Sequence, residues 1–329
     1  VCARNIWPQH GGARNCETQL RLPPLIKVTL FLGGLSCLFI MIYIMRPPDP
    51  GRLSDLSSVV RSSGEDVLEL RLSKSGHWRE SVRLSKIDPQ LIELLIAYED
   101  KRFWKHHGVD PLAILRAVKD YLAAGRITSG ASTLTMQTAR LMRPELGKRS
   151  LFVKLHQMLE AFRLEAHWTK DEILEAYFTL APYGGNIEGI KAASEAWFQK
   201  LPLQLTVSEA ALLVALPQSP ESRRPDRHPQ KAFLAKSRVL AATKEKLFLT
   251  EEEFVEYKTE ALPFRRYKPS SYSPHFADRF GRLDLAEPST LDKEWQTAVK
   301  NIVSHATNQL PEPINAAAMV VERKTGKVR

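Results

Sequence analysis

Cysteine is almost missing from this chain of 329 residues: there are three, Cys2, Cys16 and Cys37, and none follows. No disulfide framework or cysteine-rich zinc site is therefore available to the rest of the chain. The GxxxxGK[ST] pattern is absent too, which removes nucleotide hydrolysis of the P-loop kind. There is no internal repeat of solenoid length. Apolar residues make up 43% and charged residues 26%, proportions that exclude a wholly disordered, collagen-like or polytopic membrane protein. Acidic residues are the scarcer charge, 37 against 47 Lys plus Arg, for a net charge of +10. The surplus points to an anionic partner. The basic residues are dispersed and no nucleic-acid-binding motif accompanies them, so nucleic acid is not that partner.

Long uncharged runs are also scarce, with one exception. VTLFLGGLSCLFIMIYIM, from Val28 to Met45, carries no charge, and extending it to Leu25 adds only Lys27. This is long enough to cross a bilayer. It is too long, too far from the start and too poor in small residues at its end for a cleaved signal peptide. Arg4, Arg14, Arg21 and Lys27 precede it, and Arg46, Arg52 and Arg61 follow it. The excess on the first side puts the N-terminus inside.

The punctuation gives the organisation. Residues 1–24 read as a cytoplasmic tail and 25–45 as a transmembrane anchor. Residues 46–86 read as a Pro- and Ser-rich linker followed by a small hairpin, Val67 to Leu72 with Trp78 to Leu84 around Ser75-Gly76. From Asp88 the period becomes helical. Asp88-Pro89 and Asp110-Pro111 set a cap before a first-turn proline, and Thr169/Glu172, Thr206/Glu209 and Thr250/Glu253 form capping boxes. About eight helices and no strand are expected over residues 87–262. Residues 263–329 read as a linker and the start of another domain, with a helix near Leu291 to Ser304 and a strand and turn in AAAMVVERKTGKVR.

Three segments hold the chemistry. In EDKRFWKHHGVD, Leu91, Leu95 and Glu99 share one helical face, so a carboxylate continues an apolar stripe. Partial desolvation suits it to acid–base work, although a solvated helix end would show the same spacing. In SGASTLTMQTAR, hydroxyls open a helix and Gln137 and Arg140 follow one turn apart, an arrangement that serves a phosphate or simply caps the helix. RSLFVKLHQMLE is amphipathic, with Lys154 and Gln157 opposite an apolar face.

These segments, followed by APYGGNIEGIKAASEAWFQK and LTVSEAALLVALPQSP, resemble the five ordered motifs of the peptidoglycan glycosyltransferase domain of class A penicillin-binding proteins, over residues 87–262. The first fits E-D-x-x-F-x-x-H-x-G-x-D at every fixed position. The resemblance implies a mainly α, lysozyme-like fold with small β or irregular flanks, on a single-pass anchor in the bacterial cytoplasmic membrane with the catalytic domain outside. It implies polymerisation of lipid II: the GlcNAc 4-hydroxyl attacks C1 of the lipid-linked sugar and displaces polyprenyl diphosphate with inversion. It makes Glu99 the base, Asp100 its catalytic neighbour, and Asp100, Phe103, His106 and Asp110 the holders of the turn. His106, Ser132, Thr133, Thr135, Gln137, Arg140, Arg149, Lys154 and Glu175 become the substrate and diphosphate positions, with Gly184, Gly189 and Ala193 in the scaffold. Its partners are lipid II, the growing lipid-linked glycan, the cytoplasmic membrane and other cell-wall synthesis proteins. A divalent cation, magnesium or manganese, at the diphosphate is the one cofactor it admits.

Two departures stand out. The third motif commonly reads R-K-x-x-E, but Val153, Lys154 and Gln157 occupy those places, so Gln157 stands where the family has a second glutamate. This makes Gln157 a neutral hydrogen-bonding partner for Glu99, with Glu160 one turn away as a substitute carboxylate. No serine is followed three residues later by lysine, so these residues hold no transpeptidase nucleophile. The rival readings are a silent scaffold for cell-wall enzymes and a lytic transglycosylase; the latter predicts a neutral cleft without the basic cluster. An apolar, surface-seeking segment is expected at Leu141, Met142 and Leu146.

Overall fold

The computed structural model describes residues 23–124, 132–147, 150–269, 271, 289–308, 311, 314 and 316–329, in two units divided between Met45 and Arg46. In the first unit, α1 spans Pro24–Met45. Its backbone is about 33 Å long at 1.5 Å per residue. Among the described residues no helix is long and apolar enough to cross a membrane. The side chains of Leu25, Lys27 and Val28 lie outside the description, and the run from Thr29 to Met45 amounts to about 26 Å against about 30 Å of hydrocarbon.

The second unit is mostly helical. Between residues 87 and 262 nine helices are described: α2 Pro89–Glu99, α3 Pro111–Ala124, α4 Leu134–Met142, α5 Leu151–His167, α6 Lys170–Leu180, α7 Ile190–Phe198, α8 Val207–Ala215, α9 Pro229–Thr243 and α10 Glu251–Thr259. They begin where the cap chemistry places them. Asp88 accepts the Gln90 N–H at 2.7 Å ahead of Pro89, Asp110 does the same for Leu112 at 3.0 Å, and all three expected capping boxes close. Each cap satisfies backbone donors that a helix leaves orphaned. Leu91, Leu94 and Leu95 of α2 join Leu134, Leu174, Phe178, Leu212 and Val239 in one core. Across it α4 packs on α5 and α6, and α2 packs on α8. Lys236 on α9 is buried yet satisfied, donating to Ser208 Oγ, the Tyr257 carbonyl and the Glu260 carbonyl at 2.8 to 3.0 Å.

The strands correct the expected hairpin. β1 (Ser58–Arg61) pairs antiparallel with β2 (Val67–Arg71), Val60 opposite Glu69, while β3 (Trp78–Arg79) pairs in parallel with β4 (Ile187–Glu188) from inside the helical region. Val59 and Val60 alternate burial within what reads as linker, because their Ser- and Gly-rich flanks mask a short strand. β3 is pulled away by charge. Arg79 is completely buried and donates through Nε to Glu188 Oε2 at 2.8 Å, and through Nη1 to the Arg52 and Asp55 carbonyls. A buried guanidinium with its donors matched is tolerable; either partner alone would be costly. Beyond the helical region, α11 spans Lys293–Thr307, and Val321 bridges Val328 across a turn.

β1 is tied to α7 by a second buried cluster. Arg61 lies 2.6 Å from both Glu80 and Glu195, Lys191 is 3.1 Å from Glu80, and Trp78 Nε1 donates to Glu80. Burial pushes the Glu195 carboxyl up to about 7, with the Glu80 charge adding and Arg61 opposing. Burial also opposes ionisation of Glu80, but Arg61 and Lys191 outweigh it and hold that carboxyl below the usual range. Between an ordinary glutamate value of 4.5 and about 7, the native state keeps a proton on Glu195 that the unfolded chain has lost. The Glu195 contribution to stability therefore falls as pH rises through that window. Thermal unfolding of Glu195→Gln should lose this decline between about pH 4.5 and 7, and a slope equal to that of the parent would contradict it.

Candidate active site

Glu99 is the last residue of α2 and is half-buried. Its two carboxylate oxygens are held by two amides. Oε2 accepts from Gln137 Nε2 at 2.9 Å and Oε1 accepts from Gln218 Nε2 at 2.5 Å. Gln137 lies on α4, and Gln218 follows α8 in a short 3-10 turn, Leu216–Gln218. The neutral partners of Glu99 are therefore Gln137 and Gln218. Gln157, expected in that role, donates to the Leu146 carbonyl at 2.6 Å.

The residues of the first motif build the wall behind Glu99. Asp100 is buried, and its Oδ2 sits 2.9 Å from His106 Nε2 while accepting the Leu134 N–H at 2.9 Å. One carboxylate thus closes the turn after α2 and fixes the start of α4, which makes Asp100 a positioning residue. His106 is buried as well, with its ring edge-on to Phe103. Lys170 lies over the Phe103 ring at 4.4 Å and donates to the His106 carbonyl. Gly108 has φ +86°, and a Cβ there would stand 2.7 Å from the Ala161 carbonyl on α5, so the close approach of this turn to the helix requires glycine.

The hydroxyls divide. Thr133 caps α4, accepting from the Met136 N–H at 3.1 Å and donating to the Gly108 carbonyl at 2.5 Å, and Thr135 donates to Glu165 at 2.7 Å. Both are buried, so their contribution is to hold the helix start. Ser132 accepts a hydrogen bond from Lys154 Nζ. Glu175 accepts the Leu84 N–H at 3.0 Å and so tethers the segment ahead of α2. Gly184 and Gly189 have positive φ and approach Arg224 and the Thr179 carbonyl, as scaffold positions should. Arg149 lies outside the described residues. Glu160, the candidate substitute carboxylate, is buried between Arg143 at 3.3 Å and Arg163 at 3.4 Å. Arg163 in turn donates to the Arg46 and Pro47 carbonyls. That ionic cluster holds the chain where the second unit begins.

Two cations stand together without an acidic partner among the described residues. Burial lowers the Lys154 ammonium from its ordinary value, and the neighbouring Arg140 guanidinium lowers it further. Tyr177 is fully buried on α6, and its hydroxyl is pushed well up by burial first and by the Glu99 charge next, with Arg140 opposing. Glu99 and Arg140 thus both act on Tyr177, and Arg140 acts on Lys154. A carboxylate steered by two amides can accept a proton, and a pair of cations can hold an anion. No group of three or more His, Cys, Asp or Glu among the described residues is placed to hold a metal ion.

The family described as Transglycosylase matches residues 64–244, which include Glu99, Gln137, Arg140, Lys154 and Gln218. Penicillin-binding protein 1C of Escherichia coli is 37% identical over 260 residues, 77% of this chain and 33% of that protein. The chain belongs to the transglycosylase family. Penicillin-binding protein 1A of Aquifex aeolicus is 32% identical, covering 84% of this chain and 37% of its own length, and penicillin-binding protein 1F of Bacillus subtilis is 34% identical, covering 84% and 38%. The chain therefore spans about a third of the length of these curated relatives of the transglycosylase family.

Gln218 is the residue that sequence reasoning passed over. Its signal was a polar side chain set between Pro217 and Pro220, directly after the wholly buried end of α8. Asp100→Ala would leave the Leu134 N–H and the His106 ring buried without their acceptor, a loss of about 2–4 kcal/mol. It should lower the unfolding midpoint together with activity, whereas Glu99→Gln should lower activity alone. Equal midpoints for the two variants would contradict the distinction.

Proposed function

We propose that this chain is a peptidoglycan glycosyltransferase that polymerises lipid II in cell-wall synthesis, on a lysozyme-like helical domain. The observation that carries the reading is the pairing of Arg140 with Lys154 one turn from Gln137, the residue that steers Glu99. Lys154 is partly buried and Arg140 exposed beside it, and a diphosphate bound there would relieve both their repulsion and the burial of the ammonium. A lytic transglycosylase cleaves a neutral sugar and has no use for such a pair.

In this mechanism Glu99 takes the proton from the acceptor GlcNAc 4-hydroxyl as its oxygen attacks C1 of the lipid-linked donor. The C1–oxygen bond to the diphosphate breaks, with inversion. The leaving group gains negative charge in the transition state, where Arg140 and Lys154 are already in place to meet it. Asp100, Thr133 and Thr135 keep α4 at the height this requires. A divalent cation that assists would be carried by the diphosphate oxygens of the substrate.

The substrate is anchored in lipid, and the surface fits a bilayer. From Val28 to Met45 the sequence of α1 carries no charge, a pattern that belongs in a core or a membrane, and α1 serves in this reading as a single-pass anchor in the bacterial cytoplasmic membrane, N-terminus inside. The surface-seeking residues are not Leu141, Met142 and Leu146: Met142 and Leu146 are buried and Leu141 packs on the core. Leu112, Leu115 and Leu122 on α3, with Leu151, Phe152 and Leu155 on α5, are instead 50% to 82% exposed.

The detergent-solubilised chain should convert labelled lipid II into long glycan, with and without magnesium. Glu99→Gln should abolish the product and Arg140→Ala should slow it about a hundredfold. Polymer from Glu99→Gln, or none from the parent under any condition, overturns the reading; product that appears only in Gln157→Glu would make this chain a scaffold. In proteoliposomes, replacing Leu151, Phe152 and Leu155 together by serine should raise the apparent KM for lipid II several-fold and leave the melting temperature in place. An unchanged KM would remove these residues from the membrane face.

A further inference from the structure

We propose that Gln218 and Arg223 form a positioning relay that aims the Glu99 carboxylate, an inference that rests on Glu99 being the base. Gln218 Nε2 donates to Glu99 Oε1 at 2.5 Å, and Arg223 Nη1 donates to Gln218 Oε1 at 2.9 Å. The same Arg223 nitrogen donates to the Ala215 carbonyl at 2.6 Å, at the end of α8. A guanidinium has only donors, and an ionised carboxylate only acceptors. The Gln218 amide between them has one orientation that satisfies both, oxygen toward Arg223 and NH₂ toward Glu99.

The turn that carries the relay is itself fixed. Leu216 is fully buried, the Arg223 N–H donates to the Ser219 carbonyl at 3.0 Å, and the Ser219 and Ser222 hydroxyls pair at 2.7 Å. α2 and α8 pack directly on each other, so the base and its support stand on two helices of one core. The arginine charge polarises the amide and strengthens the hydrogen bond it gives. Gln137 restrains the second oxygen from α4. With both oxygens restrained, rotation of the carboxylate about its terminal bond is suppressed, while each oxygen keeps a lone pair for the acceptor hydroxyl. Tyr177 on α6 feels the charge of this carboxylate and, in the opposite sense, that of Arg140 on α4. The relay therefore adds a third cation, one that acts on the base through an amide and leaves the anion site to Arg140 and Lys154.

The test compares Gln218→Leu, Arg223→Met and Arg223→Lys with the parent, each as the full detergent-solubilised chain, in lipid II polymerisation at one fixed pH. Gln218→Leu should lower kcat about tenfold with KM within twofold, because the base loses a donor and the substrate loses no contact. Arg223→Met should lower kcat by less, and Arg223→Lys, which keeps a donor for the amide oxygen, should restore most of the loss. An unchanged kcat in Gln218→Leu, a change in KM alone, or no rescue by Arg223→Lys overturns the relay. If the parent makes no polymer, the functional reading fails and the relay is read directly from the ¹³C carboxyl signal that disappears in Glu99→Gln. A chemical shift of that signal, at one fixed pH, that moves in Gln218→Leu supports the relay, and one that does not overturns it.

Discussion

The buried carboxylate of Asp100 decides where α4 begins, and α4 carries most of the site. By accepting the Leu134 N–H and facing the His106 ring, Asp100 locks the turn after α2 to the first residue of α4. Thr133 then caps α4 from the same corner. Gln137 and Arg140 follow at one turn's spacing, so one reaches Glu99 while the other stands beside Lys154. A helix start displaced by one residue would rotate both side chains by about 100° and separate the carboxylate from its amide.

That rigidity holds a local conflict. The Lys154 ammonium is lowered first by its partial burial and then by the charge of the exposed Arg140. Several buried charges of the second unit are matched by opposite ones: Arg79 with Glu188, Arg61 with Glu80 and Glu195, Arg163 with Glu160. Arg266 is a second cation lowered by burial and by a like-charged neighbour, Arg224, so it is the place of Arg140 and Lys154 beside Gln137 and Glu99 that singles them out. The same reasoning explains why Glu160 does not replace a missing glutamate. It already answers Arg143 and Arg163, and withdrawing it would strand both cations.

Much of this was legible in the sequence because it depends on neighbours in the chain. Caps at Asp88, Thr169, Thr206 and Thr250 are local hydrogen bonds, and they fixed the helix starts. Glu99, Arg140 and Lys154 followed from motif order. Pairings between distant residues were not legible: β3 left the expected hairpin because Arg79 needed Glu188, more than a hundred residues away. Gln157 turned to the Leu146 carbonyl, and Gln218 arrived from a turn beyond α8. Thr133 and Thr135 show the remaining ambiguity, since a hydroxyl at a helix start reads alike whether it caps the helix or faces a substrate.

The central claim is a division of labour on one wall, with a base at Glu99 and an anion site at Arg140 and Lys154. Equilibrium binding of a polyprenyl diphosphate to the detergent-solubilised chain tests it most directly. The account predicts that Arg140→Ala and Lys154→Ala each weaken binding about tenfold or more, while Glu99→Gln binds as tightly as the parent or more so, because a negative charge beside the ligand is gone. Unchanged affinity in both cation variants, or lost affinity in Glu99→Gln alone, would contradict it.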